Sequence, residues 1–236
     1  MSKKNRYYSD IKIIKGKRSR FFKILGVLFF CCLFVWFSYS ISLILGKTIN
    51  ISGGLFKSGV KYYYALEFGK FQKLDDAQEC AKNVVAIEGA GFVFEKENNY
   101  YVLGSLYLNE KDANNVINSN KTNEDIKIYK IGVDFNDFAN DSNISNEIAI
   151  VIEDLYQNII DYELGKLNHI GLASKINELD AECCVIKNKA KEDKCLNQLI
   201  KCEKVLNNLT SIVLNNEMVS SSIKYALIEI VSIISK

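Results

Sequence analysis

The sequence predicts an α+β protein in three parts: an N-terminal transmembrane helix, a small βαββαβ domain, and a C-terminal all-α helical bundle. Three observations carry that expectation. Residues 24–46 contain no Asp, Glu, Lys or Arg. Residues 64–77 and 100–113 repeat one pattern at an offset of 36. From residue 146 onward, apolar positions recur three or four apart, the period of an amphipathic helix.

The N-terminal part is basic. Residues 1–23 carry nine Lys or Arg against the single Asp10, a charge of +8. The whole chain is formally +2, which leaves −6 for residues 47–236. A binder of nucleic acid would present a basic face to the phosphates, so the acidic remainder argues against that partner. The uncharged run, ILGVLFFCCLFVWFSYSISLILG, is 23 residues long; about 20 apolar residues suffice to cross a hydrocarbon core. Its basic flank, including Lys15, Lys17, Arg18, Arg20 and Lys23, belongs on the cytoplasmic side. The expectation is a single-pass anchor with the following domains outside. A cleaved signal peptide is the alternative, but the run exceeds a usual h-region and no A-x-A-like site follows. Residues 47–60, with their Gly/Ser content, read as a linker.

The tyrosine-rich stretch YYYALEFGKF at 62–71 has strand alternation, and YYVLGSLY at 100–107 echoes it. The offset aligns Tyr64 with Tyr100, Leu66 with Val102, Gly69 with Ser105 and Phe71 with Tyr107. It also pairs Asp76-Ala77 with Asp112-Ala113. Each half reads as strand, turn and helix. The first helix spans 74–87, with Ala77, Cys80, Ala81 and Val84 on one face. The second spans 110–119, with Asn109 as N-cap and acidic residues in its first turn. A short strand, Phe92 to Glu95, lies between the repeats, and the alternating segment 125–133 closes the unit. The order β-α-β-β-α-β is the split βαβ, ferredoxin-like arrangement, with two helices on one face of a four-stranded antiparallel sheet. On that reading Tyr64, Leu66 and Phe68 face the helices, while Tyr63, Glu67, Tyr101 and Leu103 lie on an open face with Tyr129. Such tyrosines serve either as a platform for a flat ligand or simply as good strand formers with solvated hydroxyls.

Residues 134–145, which open the run DFNDFANDSNISNE, read as a second linker. Residues 146–236 then read as a helical bundle of three helices, with Gly171 as a stop, Ser174 as a cap, and one long periodic run from Ile176 to Val213. Wide apolar stripes of this kind form cores, although a partner surface is the other use.

Nothing in the sequence assembles a catalytic constellation. His169 is the only histidine, and His169 with Cys183 or Cys184 lacks any family signature of a cysteine nucleophile. Asp75-Asp76 sits in a helix's first turn, where the dipole favours acids for structural reasons. No G-x-S-x-G, Walker or zinc-protease motif occurs. Cys183, Cys184, Cys195 and Cys202 could be offered as zinc ligands, but no CxxC occurs and the spacings match no common pattern. They read instead as small core hydrophobes. The expectation is a protein with no metal or cofactor and no enzymatic activity.

The quoted repeats, YALEFGKFQKLDDA at 64–77 and YVLGSLYLNEKDA at 101–113, resemble the sporulation-related repeat (SPOR) domain over residues 61–133. Members of that bacterial family bind peptidoglycan, favour glycan stripped of stem peptides, gather at division or sporulation septa, and commonly follow a single-pass anchor. The resemblance implies a glycan lying across the open sheet face, touching Tyr63, Glu67, Tyr101 and Leu103, with Phe92 or Phe94 and Tyr129 in support. Glu67 stands where the family often has glutamine; a carboxylate accepts hydrogen bonds but donates none. In the second repeat Ser105 holds the glycine position and Tyr107 the phenylalanine. The expected function is therefore membrane-anchored binding of wall glycan in cell division or sporulation. The alternative is an envelope scaffold whose SPOR-like unit does not bind glycan and whose C-terminal helices meet a protein partner.

Overall fold

The computed structural model describes residues 59–119, 126–216 and 218–236. The expected anchor at 24–46, the basic tail and most of the first linker lie outside the described residues. No described helix is long and apolar enough to cross a membrane.

The repeated half-motif folds as its alternation and periodicity dictate. Strand β1 (Val60–Phe71) leads into helix α1 (Leu74–Ala86), then β2 (Phe92–Lys96), β3 (Asn99–Tyr107), α2 (Glu110–Ser119) and β4 (Lys127–Asp134). The four strands form one antiparallel sheet in the order β2-β3-β1-β4. Glu97 and Asn98 both adopt positive φ, 53° and 59°, at the tip of the β2-β3 hairpin, as a two-residue primed turn requires. Helix α1 buries Ala77, Ala81 and Val84 against Val102, with Phe68 and Tyr100 packed alongside. Asn109 caps α2 by accepting from the Asp112 amide at 2.9 Å.

The register of β1 against β3 shifts twice, between Ala65 and Glu67 and between Glu67 and Gly69. The first shift puts an extra residue on β3, so Leu106 rather than Ser105 stands opposite Ala65. The second puts the extra residue on β1, so Lys70 comes opposite Tyr101 and Phe71 opposite Tyr100. Bulges of this kind re-aim side chains from one face to the other. The Gly-x-Phe motif has a steric reason as well: a Cβ on Gly69 would lie 2.6 Å from the Phe71 ring.

After the sheet the chain departs from expectation. Residues 134–145 are not a linker. Phe135–Phe138 forms a single helical turn, α3, with Phe135 and Phe138 both buried. The Asp/Asn composition that reads as loop is used in capping. The Asp134 carboxylate accepts from the Asn136 amide at 3.0 Å, and the Asp141 carboxylate from the Asn143 amide at 2.9 Å. The Ser145 hydroxyl then donates to the Phe135 carbonyl at 2.7 Å.

Four long helices follow, one more than the periodicity suggests: α4 (Ser142–Glu163), α5 (His169–Lys189), α6 (Asp193–Leu214) and α7 (Val219–Ile234). Each packs on its chain neighbours, and α7 packs on α4, so the four close into a ring. Gly171 stops nothing; it lies in the first turn of α5, where its amide donates to the capping Asn168 side chain at 2.8 Å. The stop is Gly165, at φ +70°. Its amide donates to the Tyr162 carbonyl at 2.9 Å and that of Lys166 to Asp161 at 2.8 Å, the paired bonds of a Schellman motif. The long run from Ile176 to Val213 is broken at 190–192, within its weakly apolar stretch.

The described residues form one compact unit, and one apolar core runs from the sheet through all four long helices. Cys183, Cys195 and Cys202 are buried in that core. Burial pushes Cys183 up to about 12 and Cys195 up to about 11, which disfavours their thiolates at neutral pH.

Candidate functional site

The expected platform lies on the face of the sheet opposite α1 and α2. That face is not open along its length. Helix α7 packs across β2, β3 and β4, and a Lys61–Glu153 ion pair ties β1 to α4. Tyr63 and Leu103 are completely buried, and Phe92 is nearly so, with its ring edge-on to Tyr225 of α7 at 5.0 Å. These three residues, expected to meet glycan, instead form the floor on which the helices rest. The reason is apolar area: Tyr63, Ala65, Leu103, Leu106, Ile131 and Val133 make one face too apolar to leave in water, and the helices supply its cover.

The other expected residues meet at the uncovered end of the same face. Tyr101 and Tyr129 stand with ring centroids 4.8 Å apart, and Phe94 lies 5.5 Å from Tyr129. All three rings are half-buried. Glu67 is also partly exposed and lies opposite Lys127 across the β1-β4 pairing. Lys70 reaches over the Tyr101 ring, with its ammonium 5.3 Å from the centroid. Lys70 is not singled out by alternation alone. The bulge on β1 swings Lys70 onto this face, and no sequence signal short of that bulge would have found it.

The electrostatics here favour uncharged tyrosine. Burial, then the nearby Tyr101 and Glu67, push Tyr129 up to about 12, and burial pushes Tyr156 on α4 to about the same value. A tyrosine whose folded pKa lies above its unfolded value, about 10, contributes its full stability below that value. The contribution is lost as pH rises toward the folded value, because unfolding then releases a proton. Urea melts should therefore show falling stability between pH 10 and about 12. Tyr129→Phe should make that decline shallower.

Chemically, three tilted aromatic rings beside a carboxylate and an ammonium can stack on an apolar sugar face while hydrogen-bonding its hydroxyls. Among the described residues, no three His, Cys, Asp or Glu side chains gather as they would around a metal ion. No family model, curated protein or solved structure matches this chain.

Proposed function

We propose that this protein is a single-pass envelope protein of a bacterial membrane that binds peptidoglycan glycan reversibly, without a chemical step, in cell division or sporulation. The observation that supports this reading is the aromatic cluster of Phe94, Tyr101 and Tyr129 beside Glu67. It stands on the sheet face where the SPOR resemblance puts a glycan. The platform is shorter than the resemblance implies, suited to a few sugar residues at one end of the sheet. The anchor at 24–46 would hold it against the wall.

The test is pelleting of the full chain, in mild detergent, with purified sacculi before and after amidase removal of stem peptides. Binding should rise on stripped glycan. Tyr101→Ala should weaken it by up to about tenfold, the loss expected for one stacking ring. Equal binding by Tyr101→Ala and the parent protein would remove the aromatic end from consideration.

A second reading is favoured by the burial of Tyr63, Phe92 and Leu103. With half of the expected platform committed to the core, the SPOR-like unit would be a structural base for the helices. The protein would then be an envelope scaffold that meets a protein partner through them. Failure to pellet with either form of sacculus would select this reading.

A further inference from the structure

A groove of about 1000 Å³ runs between α6 and α7, away from the aromatic end of the sheet. Its walls follow helical spacing: Lys194, Gln198, Lys201, Val205, Leu209 and Ile212 lie along one stripe of α6. From Lys194 to Ile212 that stripe is about 27 Å long, enough for a helix of about 18 residues. Ile212 and Tyr225, both large and exposed, stand on opposite walls.

The charge of the walls points to a ligand. Lys194, Lys201, Lys204 and Lys236 line the groove with Glu229 the one carboxylate. Lys194 is paired with Asp137 at 3.0 Å, whereas Lys201 and Lys204 are exposed and form no ion pair with the described residues.

We infer that the groove is a docking site for an amphipathic helix of a partner protein, apolar on one face and acidic along its flanks. Its apolar stripe would cover Val205, Leu209 and Ile212. Its acids would meet Lys201 and Lys204. A polyol phosphate would satisfy the lysines but leave the apolar floor wet, which is why the helix is the better fit. The inference rests on the scaffold reading above and names its surface and its partner's chemistry.

The experiment displays a library of 18-residue helices with a fixed Leu stripe, the remaining positions drawn from Glu, Lys, Gln and Ser. It is panned on the full chain held in lipid nanodiscs. Selected helices should prefer Glu to Lys at flanking positions by about tenfold. Lys201→Glu with Lys204→Glu should reverse that preference, with the melting curve unchanged because both side chains are exposed. No charge bias would overturn the proposal, as would a bias that the double lysine variant leaves intact. In the latter case the scaffold reading survives with a different surface, such as the apolar slot at Ile150 and Val185. Tighter binding of a poly(glycerol phosphate) probe, released by the same double variant, would also overturn it in favour of an anionic polymer.

Discussion

Tyr63→Ala should destabilise the protein by about 3–5 kcal/mol, the cost of deleting a large aromatic side chain from a close-packed interior. Tyr63 is completely buried between the sheet and the helices. At roughly 2–4 °C per kcal/mol for a domain of this size, its melting temperature should fall by about 10 °C. Tyr63→Phe should do the opposite. The Tyr63 hydroxyl is buried without a hydrogen-bond partner, and burial together with the Glu153 carboxylate raises its pKa far above the ordinary tyrosine value. Removing that oxygen leaves the ring in place and should gain about 1 kcal/mol. The pair of variants separates a core residue from a ligand contact. A glycan-stacking tyrosine at this position would tolerate Ala in a melt and lose binding, whereas the buried one loses stability. An unchanged melt for Tyr63→Ala would refute the covered face.

Gly91→Ala should cost about 2–4 kcal/mol, combining left-handed backbone strain with overpacking. Gly91 sits at φ +59° in the turn from α1 into β2. A Cβ there would lie 2.6 Å from the backbone carbonyl oxygen of Ala81 and equally close to a Val85 methyl. The side chain could yield, but the carbonyl belongs to α1 and moves only if the helix moves. Gly165 provides the control. It has φ +70°, yet a Cβ there would meet nothing within 4 Å. Gly165→Ala should therefore cost only the strain, about 1–2 kcal/mol. Chemical melts of the two variants give the steric part by difference. Equal losses would mean that α1 is not held against β2 as closely as the geometry requires.

Much of the sheet is legible in the sequence because its signals are local. The offset between Tyr64 and Tyr100, the Gly69-x-Phe71 spacing and the apolar face of Ala77, Ala81 and Val84 each specify an element without reference to the rest. The helix ends proved harder. Gly165 and Gly171 are both glycines near a break, and only the backbone conformation tells the Schellman stop from the residue seated in a capped first turn. The Asn/Asp-rich run reads as linker because caps and loops share a composition; Phe135 and Phe138 are the residues that betray packing.

The site is half legible for a different reason. Alternation assigns Tyr63, Tyr101 and Leu103 to a common face correctly, but it cannot say what lies on that face. The cover comes from α7, far away in the chain, and its apolar surface is matched to the sheet only in three dimensions. Phe94, Tyr101 and Tyr129 escape the cover because they lie beyond its reach, which no periodicity encodes.

The same long-range cover has a consequence in time. In order of synthesis β1 comes early, whereas Val219–Ile234, which covers its sheet, comes after every other described helix. Until then the surfaces of β2, β3 and β4 that α7 covers are bare, and the half-made sheet offers them to anything nearby. Closure of the sheet thus waits on a pairing between elements distant in the chain. Chains shortened before Val219 should leave that apolar face bare, prone to aggregation and proteolysis rather than merely lacking one helix.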